Sequence, residues 1–335
     1  MSGNRRPTQN DIARLAGVSQ ATVSQVLNNA MTGSIPEETR RRVLDVIEQL
    51  GYVPDRAARS LRTNKTYTLA AVIPDITNPY YPTFIRGVQD TAESQGYDLV
   101  IYNTDGELQK EKKCLQLVRQ SKVDGLIAVM FHLTAEHMAE LGVPVVHFQL
   151  KPETPPPVDI VYIDNAGAAR ELVNHLIERN DGCIGMIAGE EDTPPRLGRI
   201  CGYSQALAEH HIPLEEILIR GGQYNQAGGY QGMCELLSLE RRPCAVFAAN
   251  DLMAMGALVA AREAGLRVPE DIAIAGFDDI PAAALVDPPL TTVTQFQDQI
   301  GKRAAEMLFE RIHGTAPEEM RAVEMPYRLI IRKSA

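Results

Sequence analysis

Residues Gln20, Ala21, Thr22, Ser24, Gln25 and Asn28 recur at helical spacing in VSQATVSQVLNN (18–29). Their side chains are small or carry amides and hydroxyls. A glutamine amide presents a donor beside an acceptor, which matches the N6 and N7 edge of adenine in a DNA major groove. Such a face must be carried by a helix, and the stretch from Thr8 to Asn29 supplies one. Thr8 can cap a first helix, with Asp11 as its partner in a capping box. Ile12, Leu15 and Ala16 then form an apolar face, and Gly17 stands where a helix end favours a left-handed residue. Ser19 can cap a second helix, buried through Val23, Val26 and Leu27. Two short helices joined by so tight a turn form a helix-turn-helix. A helical hairpin capping another domain would share the caps, but not the amide-rich outer face.

The elements that hold this helix follow in order. IPEETRRRVLDVIEQLGY (35–52) places Val43, Val46, Ile47 and Leu50 on one face of a third helix. Glu37 and Glu38 suit its positive N-terminus, and Gly51 ends it. Three such helices close a small head over residues 1–54. DRAARSLRTNK (55–65) follows. Ala57, Ala58 and Leu61 share a face flanked by Arg56, Arg59 and Arg62, yet so short a helix is marginal alone. A plain linker is the other reading of residues 55–66.

Charge divides the chain at the same place. Residues 1–66 carry 10 Lys+Arg and 6 Asp+Glu, so the head is +4 and the remainder −14 within the total of −10. A basic head on an acidic body fits a nucleic-acid contact confined to one end, though chance asymmetry gives the same sums.

From Tyr67 the texture becomes strand and helix in alternation. The apolar runs are LAAVIP (69–74), LVIY (99–102), GLIAVM (125–130), VPVVHF (143–148), IVYI (160–163), CIGMIA (183–188), AVFAAN (245–250) and IAIAGF (272–277). Continuous apolar strands separated by amphipathic helices indicate parallel sheets covered on both faces. The Pro-rich loop 152–157 marks a boundary between two halves. No phosphate-binding glycine loop, nucleophile elbow or zinc-helix motif occurs, and the seven histidines lack ligand or triad spacing. No catalytic residue, metal site or cofactor is expected. The five cysteines are scattered, without a C-x-x-C pair, and read as reduced thiols. No apolar run near the length of a membrane span occurs, and no secretory signal is apparent. The expected location is therefore cytoplasmic.

The segments VSQATVSQVLNN, ETRRRVLDVIEQLGYVPD, AARSLRT, NPYYPTFIRGV, KVDGLIAVM, VYIDNAGAA, AANDLMAMGAL, GLRVPEDIAIAGFDD and LTTVTQ together resemble the lactose/galactose-repressor (LacI/GalR) family of bacterial transcription regulators. The resemblance runs from about Thr8 to about Arg332. It implies an all-α helix-turn-helix head, a hinge helix at 55–66, and an α/β body of two lobes like periplasmic binding proteins over 67–332. The N-lobe would be about 67–163 and 293–322, the C-lobe about 164–292 and 323–332.

The resemblance also implies roles. Gln20, Ala21 and Gln25 would read bases; Thr8, Thr22, Ser24, Asn28, Arg59 and Arg62 would hold the DNA; Leu61 would wedge into the minor groove at the central step. Tyr80, Tyr81, Thr193, Arg199, Tyr224, Asn250, Asp251, Asp278 and Phe296 match the family's effector pocket. Pro194 and Pro195 stand where purine-binding members carry polar contacts, which turns the expectation toward a sugar or sugar derivative. A nucleobase or nucleoside effector is the alternative within the family, and a sugar-binding protein without DNA function the alternative outside it. No leucine heptad follows Pro326, so the expected assembly on operator DNA is a homodimer.

Gln25 stands where many members carry arginine, which favours guanine. Selection from randomised half-sites should return adenine at the position Gln25 faces. Gln25→Ala should erase that preference, a loss of about 1–3 kcal/mol in discrimination. A guanine preference that Gln25→Ala abolishes would overturn the assignment.

Overall fold

A computed structural model describes residues 7–27, 35–52, 65–180 and 182–335. Asn28, Arg59, Leu61 and Arg62, and with them the expected hinge helix, lie outside the described residues. The chain divides into two compact units, Met1–Thr66 and Tyr67–Ala335.

The head is built from α1 (Gln9–Ala16), α2 (Gln20–Leu27) and α3 (Glu37–Leu50). Thr8 and Asp11 form a capping box, and Gly17 ends α1 with φ 64°. The Ser19 hydroxyl accepts from the Thr22 amide at 3.1 Å and starts α2. Gln20 Nε2 donates to Gln9 Oε1 at 2.6 Å, tying the starts of both helices. Ile12, Ala13, Ala16, Val23, Val26, Val43 and Val46 make the core. Leu15 is 55% exposed, against expectation. The buried stripe of α1 is centred between Ile12, Ala13 and Ala16, and Leu15 falls off its edge.

The body holds two parallel sheets. The first runs β1 (Thr68–Ile73), α4 (Tyr80–Ser94), β2 (Asp98–Asn103), α5 (Leu108–Ser121), β3 (Gly125–Ala128), α6 (Ala135–Ala139), β4 (Val145–Gln149) and β5 (Asp159–Ile163). The second runs α7 (Asn165–Arg179), β6 (Ile184–Ile187), α8 (Pro194–Glu209), β7 (Ile219–Arg220), α9 (Gln226–Leu237), β8 (Ala245–Ala248), α10 (Asp251–Glu263) and β9 (Ala273–Ala275). The chain then returns through β10 (Thr292–Thr294), α11 (Gln297–Ile312), β11 (Ala322–Met325) and β12 (Arg328–Ile330). The sheet orders are β11-β5-β4-β3-β1-β2 and β7-β6-β8-β9, with β10 and β12 as an antiparallel pair.

Alternation along the strands sends side chains to both faces. In β1, Leu69, Ala71 and Ile73 join the core with α4 and α11, while Ala70 and Val72 join the core under α5. The inner strands β1, β3 and β5 are therefore buried along nearly their whole length, as sheets covered on both sides require. The helices α4 and α11 meet through glycines: a Cβ on Gly87 would lie 2.0 Å from the Asp298 carbonyl, and one on Gly301 2.0 Å from that of Phe84.

The last handover between sheets differs from expectation. Residues 323–325 belong to the first sheet, because β11 pairs with β5 from Ala322↔Ile160 to Met325↔Ile163. Asp159 fixes this edge. Its buried carboxylate accepts from Arg311 Nε and Nη2 at 2.9 Å each, from Arg321 Nη2 at 2.8 Å and from the Arg321 amide at 2.8 Å. Burial alone would raise its pKa, but these bonds outweigh burial and hold the carboxyl below the ordinary range. Asp159→Ala leaves two guanidinium groups facing a vacated site, so a loss of about 3–5 kcal/mol is expected by chemical denaturation. Because the folded pKa is depressed, the stabilisation is complete above the unfolded value and fades as pH falls through the folded one. Asp159→Asn should flatten that acid limb, and an unchanged limb would refute the assignment.

Candidate functional site

The carboxyl ends of both sheets surround a cavity of about 510 Å³. Ligands of open α/β sheets bind at such strand ends. From the first sheet's side come Asp75, Asn78, Tyr80 and Tyr81 after β1, Gly106 after β2, Met130 and Phe131 after β3, and Phe148 at the end of β4. From the second come Glu190 after β6, Arg199 on α8, Gln223 and Tyr224 after β7, Asn250 after β8 and Asp278 after β9, with Gln295 after β10.

Asp278 is the polar centre. Gln295 Nε2 donates to its Oδ1 at 2.6 Å and Arg199 Nη2 lies 3.4 Å from the same oxygen. Its backbone has φ 109°, and Asp279 follows with φ 55°. Two consecutive aspartates in this sparsely populated region need external support. Asp251 supplies it: its carboxylate accepts from the Ile280 amide at 2.8 Å and from the Thr292 hydroxyl at 2.6 Å. Gln297 Nε2 donates to the Asp278 carbonyl from the other side. Burial raises the Asp278 carboxyl to about 7, with Arg199 and Gln295 resisting the rise.

Each nitrogen of Arg199 is engaged. Its Nε donates to Asn165 Oδ1 at 3.2 Å, its Nη1 to the Ala249 carbonyl, and its guanidinium lies 4.0 Å from the Phe277 ring centroid. Tyr80 donates its hydroxyl to Gln295 Oε1 at 3.3 Å. Burial first, then Asp278, raises the pKa of Tyr80 and Tyr81 well above the ordinary value, so both hydroxyls stay protonated.

Tyr224 is clamped from three directions. Its hydroxyl shares a hydrogen bond of 2.9 Å with Thr193 Oγ1, its carbonyl accepts from Asn250 Nδ2 at 3.2 Å, and its ring covers Gly189. Gly189 has φ 82°, and a Cβ there would lie 2.5 Å from the ring. Asn250 also caps α10, its Oδ1 accepting from the Met253 amide at 2.8 Å.

Tyr80, Tyr81, Arg199, Tyr224, Asn250 and Asp278 thus line one cavity. Three other expected pocket residues do not. Thr193 is buried behind Tyr224, Asp251 is buried beneath the Asp278 corner, and Phe296 lies outside the lining, its ring 5.4 Å from the Arg328 guanidinium. Thr193 and Asp251 brace the wall instead of forming it. Phe131, Phe148, Gln295 and Asn165 line the cavity without having been expected there. Only their place just after strands or crossovers could have marked them.

On the head, Gln20, Ala21 and Gln25 are exposed along α2, with Thr22 and Ser24 half-buried beside them. The Thr8 hydroxyl is occupied by Asp11, donating to Oδ2 at 2.7 Å.

A helix-turn-helix head joined to a periplasmic-binding-protein-like body defines a class, the DNA-binding transcription regulators. Residues 8–55 match the model of bacterial regulatory proteins of the lacI family, and residues 173–335 that of a periplasmic binding protein-like domain. The chain belongs to the LacI family. It is 36% identical over 332 residues to the HTH-type transcriptional repressor PurR of Aliivibrio salmonicida (strain LFI1238), covering 98% of each chain. It is 36% identical over 311 residues to the repressor CytR of Escherichia coli (strain K12), covering 92% of this chain and 90% of that one. Among solved structures, the lac repressor dimer bound to operator and the anti-inducer ONPF superposes with a TM-score of 0.88 at 26% identity, covering 98% of this chain and 99% of that one. The regulator CelR in complex with cellobiose superposes with a TM-score of 0.74 at 32% identity, covering 98% of this chain and all of that one. These relatives are regulators, not enzymes.

The raised pKa of Asp278 makes the body sensitive to pH. Between the unfolded value near 3.8 and the folded value of about 7, the folded state binds the extra proton. Stability of the ligand-free protein should therefore fall as pH rises through that window. Calorimetric melting from pH 4 to pH 8 checks this, and Asp278→Asn should lessen the decline, the remainder coming from Asp251, whose carboxyl burial raises in the same direction. An identical decline in the variant would show that Asp278 is not its source.

Proposed function

We propose that the protein is a repressor that binds a pseudo-palindromic operator as a homodimer and whose DNA affinity responds to an uncharged, hydroxyl-bearing ring ligand in the body's cavity, a sugar or sugar derivative. The observation that carries the ligand class is the charge of the lining. Five carboxyl groups line the cavity, Asp75, Asp105, Glu107, Glu190 and Asp278; Lys110, off the lining, pairs with Asp105 and Glu107, so Asp75 and Glu190 carry the excess charge, and the one cation among the described lining residues is Arg199. That cation is already paired with Asp278. A phosphate or carboxylate entering here meets net negative charge in a partly desolvated site, which costs more than its hydrogen bonds return. Hydroxyls, by contrast, can donate to Asp278 and to Gln295 Oε1 and accept from the Tyr81 hydroxyl. Apolar ring faces fit Phe131, Phe148 and Tyr224.

A nucleoside is the second reading. Aromatic walls on both sides of the cavity favour a flat base beside a ribose, and the similarity to PurR and CytR points the same way. Pro194 and Pro195, which line the cavity, lack side-chain donors for a base and favour the sugar.

On the head, Gln20, Ala21 and Gln25 would face base edges while Thr22 and Ser24 reach phosphates. The second copy would cover β2, an edge strand of the first sheet, which exposes Val100 and Ile101. Effector and operator then act on one another through linkage between two arrangements of the dimer.

A thermal-shift screen over sugars, sugar phosphates, nucleosides and nucleobases tests this. Neutral sugars or nucleosides should stabilise the fold by RT ln(1 + [L]/Kd) and so raise Tm, phosphorylated counterparts should not, and the hit should alter retardation of operator DNA. A phosphorylated hit, or one that stabilises without changing DNA affinity, would sink the proposal.

A further inference from the structure

Glu111 sits in the first turns of α5 and is fully buried. A buried carboxylate is costly unless its oxygens are satisfied. Here they are satisfied by one loop. Oε1 accepts from the Phe131 amide at 2.7 Å, and Oε2 accepts from the His132 amide at 3.1 Å and the Leu133 amide at 2.9 Å. Three successive backbone amides just after β3 thus converge on one side chain, an anion nest turned inside out.

The same loop is held from its other side. His132 Nε2 donates to the Gly106 carbonyl at 2.7 Å, and the Phe131 ring packs against Gly106, which takes a φ of 67°. The loop carrying Gly106 leads directly into α5, so Glu111 and Gly106 grip the 131–133 loop as one unit. The outcome is the placement of Phe131. Its ring lines the cavity and faces Tyr224, a residue of the second sheet's side, with centroids 6.3 Å apart at 49°. That is contact range for an aromatic pair.

We propose that Glu111 is a positioning residue for effector binding, fixing Phe131 as an aromatic wall that opposes Tyr224 across the cavity. The proposal rests on the cavity being the effector site. Glu111 touches no ligand itself. It acts by removing the freedom of three loop residues before binding, so the ligand does not have to order them.

The chain contains no tryptophan, so Phe131→Trp gives a single fluorescent reporter at the wall. In the full-length, ligand-free protein, adding Glu111→Gln should shift the reporter's emission to the red and raise its quenching by acrylamide severalfold. Unchanged emission and quenching would overturn the proposal. Hydrogen exchange on the parent protein gives a second measurement that does not depend on the variant folding. The amides of Phe131, His132 and Leu133 should exchange slowly although His132 is exposed, and rapid exchange there would also overturn it. Adenosine and D-ribose then serve as binding probes. Glu111→Gln and Phe131→Ala should each weaken the probe that binds by about tenfold, and the double variant no further. Additive losses would make Glu111 a general stabiliser and refute the positioning role. If neither probe binds while the reporter responds to Glu111→Gln, the positioning of Phe131 stands and the ligand class proposed for the cavity fails.

Discussion

The cavity end of the body depends on one buried carboxyl group that lies off the cavity lining. Asp251 begins α10 and bonds to the backbone of Ile280 and the hydroxyl of Thr292. Those two bonds join the end of β9 to the start of β10, where the chain leaves the second sheet. The corner between them forces Asp278 and Asp279 to positive φ. Asp278 is thereby delivered to Arg199 and Gln295, and Asp279 to Arg332 near the C-terminus at 2.7 Å. Removing Asp251 would relax the corner, withdraw Asp278 from Arg199 and leave a buried guanidinium without its partner.

Much of the fold was legible because burial on both faces leaves a strong signature. Each of the eight apolar runs became a strand, since a parallel strand between two helical layers has no polar face to interrupt it. The strands that were not legible are the ones this logic does not reach. β7 has two residues, β10 and β12 form a three-residue antiparallel pair, and β11 alternates exposed and half-buried residues at a sheet edge. The last handover was misplaced for the same reason. AVEM in β11 is too short and too exposed to mark a strand, and the Asp159 grip on Arg311 and Arg321, with the Tyr162 hydroxyl on Glu324, seats it beside β5.

The site was legible where chemistry and position coincide. Arg199, Asn250 and Asp278 are polar residues near strand ends, and the tyrosines after β1 carry the polar handles that such sites use. Thr193 and Asp251 have the same credentials but face away, because a hydroxyl or carboxylate at a helix start serves backbone amides and neighbours as readily as a ligand. Phe131 and Phe148 were not legible, since a phenylalanine after a strand reads as core. What distinguishes Phe131 is the buried Glu111 holding its loop, twenty residues earlier in the chain. Sequence spacing carries no sign of that contact.

The cavity draws its walls from both sheets, and this bears on how a ligand could alter the head's grip on DNA. A ligand shifts a conformational balance only by its differential affinity for the two states. Tyr80, Tyr81, Phe131 and Phe148 come from one sheet's side; Arg199, Tyr224, Asn250 and Asp278 come from the other. A ring bound between them gains its full set of contacts in one separation of the sheets and loses part of it in any other. The segments joining the sheets restrict the choice of separations: β10 and β12 are hydrogen-bonded to each other, and Gln295, immediately after β10, bonds both Tyr80 and Asp278. A few ångströms of ligand size therefore translate into a preference between discrete arrangements, because packed strands and a buried ion pair do not deform continuously.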